Sequence, residues 1–420
     1  MVSVRRFHVL GVPLTGFLLT LAIAFGCLAL LGTSAFAQPL GVSAAKAKQM
    51  AKVGELIFND TNLSEPPGRQ ACAPCHRPGT GFTDAPNAVS TGGFAGTSLG
   101  GRNAPTNAYV AGFCPPFDAS KGEAVGGFFW DGRGRTNVEQ ATMPFFNPVE
   151  LANDPNNIPA FIDKIRAAQY RGLFKKAFGK TILDPGNEAA ALAAVGKAIV
   201  SMEMASTFNA FTSKFDAVQL GLAAFTPQED LGFAVFQEYC SNCHSTNPTN
   251  KDGTGAVFST FIYRNVGVPA NPDNTVFPPG TPDPGLAGNP LLIDGLDPVV
   301  DLALITLLKN QAAGRFKVPT LRNIAVSGPY MHNGVFTTLA QVVHFYNTRD
   351  AQITAGTLVP ETLSTMTKEV VSSAQDTLGA LNLPFVGDGN GTLPAGDEEA
   401  ALVAFLNTLT DGFPGVKFPE

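Results

Sequence analysis

The sequence predicts an all-α protein made of two similar domains with long irregular loops. The first observation is a weak internal repeat: GELIF at 54–58 and GFAVF at 232–236 each lie in a stretch with apolar residues three and four positions apart. The second is the composition, since 44 glycines, 32 prolines and only 15% charged residues are typical of helices joined by long, closely packed connections. The third is that each repeat precedes the same short cysteine and histidine string.

These strings are CAPCH at 72–76 and CSNCH at 240–244. Each supplies two thiols that can bond to the vinyl groups of a haem, followed by an imidazole that can bind its iron, which is the c-type attachment pattern. The alternatives are disulfides or a zinc site, although zinc would leave the adjoining histidines unexplained. The sequence therefore predicts two cytochrome c-like domains, each wrapping one covalently attached haem c, held by Cys72, Cys75 and His76 and by Cys240, Cys243 and His244.

The first 37 residues are predicted to be an export signal. Arg5 and Arg6 precede an uncharged apolar run at 9–31, and AFA at 35–37 forms a cleavage site. The mature chain is expected in the periplasm, with its first domain over 38–217 and its second over 218–420. Because the apolar run is long, an uncleaved membrane anchor is the alternative. Cleavage removes two arginines and changes the formal charge from −6 to −8, which gives no electrostatic reason to bind nucleic acid.

Local patterns predict further elements. Helical periodicity predicts helices over 158–178, 188–215 and 397–409, and a high content of Pro, Gly, Asn and Asp predicts loop over 247–298. The second repeat opens with Thr226 as N-cap, Pro227 at the first helical position and Glu229 in the first turn. Cys114 lies outside the signal and both strings; it is expected to be a buried thiol, with oxidation or intermolecular pairing as the alternative.

Further strings in the chain match a known family. They are GRNAPT at 101–106, FFWDGR at 128–133, NPVEL at 147–151, YRNVGVP at 263–269 and FKVPTLRNIAVSGPYMHNG at 316–334. In these strings and in their order, the chain resembles the bacterial dihaem cytochrome c peroxidases and the MauG-type enzymes that share their fold. The resemblance covers most of the mature chain. It implies that peroxide reacts at the His76 haem and that the His244 haem relays electrons.

The resemblance also concerns the second ligand of each iron. Many of these peroxidases block the first haem with a histidine in the loop before the NAPT segment, and the stretch 77–102 has none, so the His76 haem is expected to be open to peroxide. For the second haem, the family's distal ligand position is occupied here by Tyr346. Helical spacing from Thr338 onward agrees, because it puts Tyr346 on the apolar face and His344 about 200° away. The alternative is a core tyrosine, with Met331, Met366 or His344 as the ligand.

Three residues are expected to carry the chemistry by the same resemblance. Glu150 stands at the family's acid/base position, with Gln140 as a hydrogen-bonding partner in the same pocket. Because no histidine is available, a carboxylate must move the proton that cleavage of the O–O bond requires. Trp130, the single tryptophan, stands where the family has a relay between the haems. The structural alternatives are a helix N-terminal acid for Glu150 and an apolar core residue for Trp130.

Two further expectations come from the resemblance. The family carries a calcium ion between its domains, which falls here on the side chain of Asn103 and the carbonyl oxygens of Ser327 and Pro329. Such a site contains no carboxylate, so sequence alone would not reveal it. Arg322 is expected to pair with a haem propionate, with a surface or loop-pinning role as the alternative.

The sequence thus predicts a periplasmic dihaem c-type peroxidase that reduces hydrogen peroxide to water. A small electron-donor protein, a cytochrome c or a cupredoxin, would supply the electrons. One alternative is a MauG-like enzyme that uses peroxide to oxidise side chains of a client protein, which Tyr346 and the missing loop histidine favour. Another is a dihaem cytochrome that only transfers electrons, which would need six-coordinate iron in both haems. Contact with a membrane is expected only if the signal is not cleaved.

Overall fold

The computed structural model describes residues 40–93, 95–120, 122–247, 255–361 and 397–416, so the predicted export signal lies outside it. Its helices, α1 to α11, are Ala44–Phe58, Asn137–Gln140, Met143–Phe146, Ile158–Ala167, Arg171–Phe178, Glu188–Glu203, Lys214–Gln219, Pro227–Tyr239, Leu302–Ala312, Leu339–Thr354 and Asp397–Asn407. Two antiparallel ribbons pair β1 (Thr91–Gly92) with β2 (Ser98–Leu99) and β3 (Tyr263–Arg264) with β4 (Phe316–Lys317). The chain is therefore mostly helical with little sheet, as predicted. Within these ranges, no helix is long and apolar enough to cross a membrane.

The first repeat is a helix that crosses another helix at a glycine. A Cβ on Gly54 in α1 would lie 2.1 Å from the carbonyl oxygen of Ala198 in α6, so this crossing requires glycine. The buried face of α6 also includes Ala191 and Ala194, whose small side chains allow the two helices to approach closely. The alanine-rich helix α6 therefore packs closely against α1.

The second repeat is built in the same way. A Cβ on Gly232 in α8 would lie 1.9 Å from the carbonyl oxygen of Ala401 in α11. The predicted start of α8 is confirmed: the Thr226 hydroxyl accepts the Glu229 amide at 3.3 Å, and the Glu229 carboxylate accepts the Thr226 amide at 2.7 Å. Both repeats therefore place a helix just before a cysteine string and fix it by a glycine crossing.

Two predicted helices are each divided in the structure. The stretch 158–178 forms α4 and α5, because Ala168 adopts an extended conformation with ψ 146°. The stretch 188–215 forms α6 and the start of α7, because the side chain of Asn209 donates to the carbonyl oxygen of Glu203 at 2.8 Å and so satisfies the end of α6. Helical periodicity continues across both breaks, which is why the sequence did not reveal them.

The other predicted segments agree more closely. Where described, the stretch 247–298 is loop, apart from β3 and the 3₁₀ turns Leu286–Gly288 and Pro290–Ile293. The last helix, predicted over 397–409, ends at Asn407. Buried apolar residues form one cluster in the first half of the chain and another in the second, and a third cluster joins residues such as Phe82 and Phe261 from both halves. The boundary predicted between residues 217 and 218 stays a prediction.

Candidate active site

The two cysteine strings have the same backbone conformation. In the first, the carbonyl oxygen of Cys72 accepts the amides of Cys75 and His76, each at 3.1 Å. In the second, the carbonyl oxygen of Cys240 accepts the amides of Cys243 and His244, at 3.2 and 2.8 Å. Each string is thus one tight turn that gathers two thiols and an imidazole.

Both histidines are held in the form that a metal ligand needs. His76 Nδ1 lies 2.9 Å from the carbonyl oxygen of Phe82, and His244 Nδ1 lies 2.9 Å from that of Phe258. Because a carbonyl only accepts, Nδ1 carries the proton and Nε2 is the atom that can bind a metal. Burial lowers the pKa of His76 and lowers that of His244 to about 4, against the raising effect of the carbonyl bonds. Both imidazoles are neutral at physiological pH.

The thiols of the strings fit covalent attachment of a haem. The five cysteines that the structure describes form no disulfide, and burial raises the pKa of Cys72, Cys75 and Cys240 to about 12 each. Among the described residues, no three His, Cys, Asp or Glu side chains come together as a zinc site would require. Thiols outside any disulfide, next to oriented imidazoles, are what covalent attachment of a c-type haem needs.

Carboxyl groups surround the first string. After burial, Glu203 and Glu150 contribute most to the raised pKa of Cys72, and Asp84 and Glu150 to that of Cys75. Burial raises the pKa of Glu150 and raises that of Glu203 to about 8. At neutral pH Glu203 is therefore largely protonated, so a proton is stored near the first string.

Glu203 was not among the predicted site residues. It lies near the end of α6, with 4% of its surface exposed, and its carboxyl oxygens accept Nδ2 of Asn107 at 2.9 Å and Nδ2 of Asn137 at 3.3 Å. Gln140 and Trp130 lie in the wall of the same cavity. The available signal in the sequence was an acid between two methionines in an otherwise apolar stretch.

Gln140 and Glu150 do not share a cavity. Gln140, at the end of α2, lines the cavity that contains Glu203 and Trp130, whereas Glu150 lines a second cavity beside Arg133. The ring of Phe129 lies in the wall of both cavities and separates them. The structure therefore brings Gln140 together with Glu203, and the pairing of Gln140 with Glu150 stays a prediction.

Trp130 lies in a cavity wall that continues to the second string. Its Nε1 donates to the carbonyl oxygen of Asn103 at 2.8 Å, and its own carbonyl oxygen accepts the amide of Lys317 at 2.8 Å. These bonds fix both the ring and the backbone. His244 and Tyr346 line the same cavity as Trp130, and the relay role of Trp130 stays a prediction.

The three residues predicted to bind calcium, Asn103, Ser327 and Pro329, all line this cavity. Nδ2 of Asn103 donates to the carbonyl oxygens of Asn87 and Ala88, at 3.2 and 3.1 Å. With Nδ2 held in this way, Oδ1 is the side-chain atom that could bind a cation. Oδ1 of Asn103 and the carbonyl oxygens of Ser327 and Pro329 are of the kind that bind a hard cation such as calcium. The calcium site stays a prediction.

Tyr346 lies on α10 beside the second string. Burial raises its pKa, and the thiols of Cys243 and Cys240 add to the rise, while Arg349 opposes it. Of the alternative ligands, the side chain of His344 is 58% exposed and pairs with Glu399 at 3.3 Å, so it is directed away from the cavity. Met331 also lines the cavity, and Met366 lies outside the described residues. Tyr346 therefore stays the predicted ligand, with Met331 as the remaining described alternative.

The last two residues singled out in the sequence are buried. Arg322 donates to both carboxylate oxygens of Asp216, at 2.6 and 2.8 Å, and to the carbonyl oxygen of Ala256 at 2.7 Å. This matches the loop-pinning alternative and contradicts a surface role; pairing with a propionate stays a prediction. Cys114 is 7% exposed, lies 3.2 Å from the carbonyl oxygen of Gly127, and has a pKa raised by burial, so it is the expected buried thiol.

Comparisons with known proteins agree with this site. Residues 48–224 match the family model described as di-haem cytochrome c peroxidase. The chain is 35% identical to the methylamine utilization protein MauG of Paracoccus denitrificans, covering 86% of this chain and 88% of that protein. It is 27% identical to the cytochrome c551 peroxidase of Nitrosomonas europaea, covering 96% and 92%. Among solved structures, the diheme peroxidase BthA from Burkholderia thailandensis matches with a TM-score of 0.67 and 30% identity, covering 86% of each chain.

Proposed function

Because this chain belongs to the di-haem cytochrome c peroxidase family, which includes MauG, we propose that it is a periplasmic enzyme that reduces hydrogen peroxide to water. It is a cytochrome c peroxidase-like oxidoreductase. The family implies two haem c groups, which the strings at 72–76 and 240–244 would hold. A haem iron with an open coordination position binds peroxide and takes up the two oxidising equivalents released when the O–O bond breaks.

The observation that carries this proposal is that the two cysteine strings share one backbone turn but differ in the ionisable side chains around them. Reduction of peroxide to two waters consumes two protons, so the reacting site needs groups that hold and move protons. Glu150, Glu203 and Asp84 lie around the first string. The thiol of Cys240, in the second string, has only that of Cys243 as an ionisable neighbour that shifts its pKa. We therefore assign peroxide reduction to the first string and charge storage to the second.

The described residues then have separate roles. The carboxyl of Glu150, whose pKa is raised by burial, would move a proton from the near to the departing oxygen of peroxide. The indole of Trp130, fixed by its bond to Asn103, carries an oxidising equivalent toward the second string. His244 and Tyr346, which line one cavity, would hold the second haem. A calcium ion on Asn103 would stiffen the wall next to Trp130, because it would tie that loop to Ser327 and Pro329.

Stopped-flow absorption of the holoprotein mixed with peroxide tests this proposal. We expect micromolar peroxide to change the haem spectrum of the wild-type protein within seconds. Replacement Glu150→Gln should slow the change by about 10²- to 10⁴-fold, the usual contribution of a general acid/base. The control is Glu55→Gln, an exposed glutamate paired with Lys52, which should react like the wild type. No spectral change in the wild type would favour a dihaem cytochrome that only transfers electrons.

A second candidate is a MauG-like function, in which the electrons come from side chains of a client protein. It is supported by Tyr346 in the cavity wall with His244 and by the 35% identity to MauG over 86% of this chain. Peroxide-treated protein should be mixed with a reduced small cytochrome c, a reduced cupredoxin, or a tryptophan-containing protein. Rapid oxidation of a small redox protein supports the peroxidase, whereas mass-spectrometric modification of tryptophan without such oxidation supports the MauG-like function.

A further inference from the structure

Tyr109 and Asp411 form a buried pair between distant parts of the chain. The side chain of Tyr109 is 0% exposed, and its hydroxyl donates to both carboxylate oxygens of Asp411 at 2.8 Å. The same hydroxyl oxygen accepts the amide of Phe211 at 2.7 Å. The backbone of Tyr109 has φ 59°, in the left-handed region that a bulky residue adopts only when its surroundings enforce it. The phenol is therefore buried, held in one orientation by hydrogen bonds, and in contact with a proton acceptor.

One side of this tyrosine adjoins the first cysteine string. Tyr109 belongs to the same buried cluster as Phe82, and Cys72 packs against that cluster. The carbonyl oxygen of Phe82 is the acceptor for His76 Nδ1. Continuous packing therefore leads from the ring of Tyr109 to the imidazole of the first string.

The other side adjoins the second string. The guanidinium carbon of Arg322 lies 5.2 Å from the ring centre of Tyr109 and 5.3 Å from that of Phe258. The carbonyl oxygen of Phe258 is the acceptor for His244 Nδ1. Packing thus connects Tyr109 with Phe82 on one side and, through Arg322, with Phe258 on the other, and the carbonyl oxygens of these two phenylalanines hold the two histidines.

We infer that Tyr109 is an oxidisable side chain that holds one of the two oxidising equivalents delivered by peroxide. One electron leaves the phenol for a peroxide-oxidised haem, and at the same time the phenol proton moves from Oη to the carboxylate of Asp411. The products are a neutral tyrosyl radical and a protonated Asp411. An electron from the donor protein, with return of the proton from Asp411, restores both residues. This inference rests on the proposed function, because peroxide is the oxidant.

The proton acceptor is what makes this tyrosine suitable. An oxidised phenol is a strong acid, so its oxidation is favoured where a base at hydrogen-bond distance takes the proton. Exclusion of water strengthens both hydrogen bonds to Oη and protects a radical from side reactions. Tyr170 supplies a matched control, since it is also buried and donates to Asp60 at 2.8 Å but packs among the helices of the first half.

The test is electron paramagnetic resonance of the holoprotein, freeze-quenched after one equivalent of peroxide. We expect a tyrosyl radical signal that narrows when the protein contains ring-deuterated tyrosine. The signal should disappear in Tyr109→Phe and persist at wild-type amplitude in Tyr170→Phe. If Tyr109→Phe does not fold, the Asp411→Asn variant tests the inference instead. Removal of the proton acceptor should diminish the radical signal, and an undiminished signal overturns the inference.

Absorption spectra of the same samples separate this inference from the proposed function. If peroxide changes the haem absorption but the radical is absent, or survives in Tyr109→Phe, Tyr109 is not the oxidised residue and the proposed function stands. If peroxide leaves the haem absorption unchanged, the proposed function fails and the inference falls with it.

Discussion

Replacement Glu203→Gln should make the protein more stable at neutral pH. Burial raises the pKa of Glu203 to about 8, so the folded protein holds a proton there that the unfolded chain, with an ordinary glutamate, releases at much lower pH. Between these two pKa values the unfolded state gains stability from ionisation and the folded state does not. Wild-type stability must therefore decline as pH rises through this window. Glutamine has the same shape and cannot ionise, so the variant lacks this decline.

The size of the effect follows from the two pKa values. With pKa 4.5 for the unfolded chain and about 8 for the folded protein, proton linkage removes about 2 to 3 kcal/mol of wild-type stability between pH 5 and pH 7. At pH 7 the carboxyl of Glu203 is still mostly protonated in the folded protein and almost fully ionised in the unfolded chain. Most of the decline is thus set by the unfolded chain.

Urea unfolding of the holoprotein, followed by haem absorption at pH 5, 6 and 7, measures this decline. The difference in unfolding free energy between Glu203→Gln and the wild type should grow with pH by about 2 to 3 kcal/mol across this range. The exposed Glu55→Gln variant should follow the wild type at each pH. A pH dependence shared by the wild type and Glu203→Gln would mean that Glu203 is ionised in the folded protein, and the proton store near the first string would have to be abandoned.

Three other predictions follow from the packing and the buried charges. Replacement Gly232→Ala should cost about 1 to 3 kcal/mol in urea unfolding, because a Cβ there would overlap the backbone of α11. Replacement Gly172→Ala in α5, where a Cβ meets no atom within 4 Å, is its control and should be neutral or stabilising. Replacement Asp216→Asn removes the charge partner of the buried Arg322 and should cost roughly 3 to 5 kcal/mol. Arg322 lowers the pKa of Asp216, so ionised Asp216 stabilises the folded protein above the unfolded pKa, and this stabilisation is lost as pH falls through the folded pKa. The unfolding free energies of the wild type and Asp216→Asn should therefore converge in acid. A difference that stays constant with pH would contradict this. Replacement Tyr346→Met should raise one of the two haem potentials in a spectroelectrochemical titration, and unchanged potentials would exclude Tyr346 as ligand.

Features encoded within short stretches of sequence could be predicted. The two strings, the N-cap at Thr226 and the apolar face that contains Tyr346 each depend on residues that are close neighbours in the chain. The glycine in each repeat could also be found, because it recurs at the same place in GELIF and GFAVF. The reason for this glycine could not be predicted from the sequence, because the atom that excludes a side chain at Gly232 belongs to Ala401, in a helix near the end of the chain.

Contacts between distant residues were the ones that the sequence did not reveal. Tyr109 and Asp411 are 302 positions apart, and Arg322 and Asp216 are 106 positions apart. Glu203 stands between two methionines in an apolar stretch, and burial raises its pKa against the lowering effect of its hydrogen bond from Asn137. A carboxyl group acquires its chemistry from surroundings that only the folded chain assembles.

In the proposed function, the two strings differ in role because of their surroundings rather than because of their own structure. Identical backbone turns and identical histidine bonds give each string the same means of holding a haem. Among the described residues, carboxyl groups raise the pKa of both thiols of the first string, and Arg322, paired with Asp216, lies 5.2 Å from the ring centre of Tyr109. Because a fixed positive charge disfavours a cation radical nearby, an oxidising equivalent that passes Tyr109 must leave as a neutral radical, which requires the proton to move to Asp411. Oxidation of Tyr109 therefore depends on its hydrogen bond to Asp411. The Tyr109→Phe variant removes the donor of this bond, and the Asp411→Asn variant removes its carboxylate acceptor.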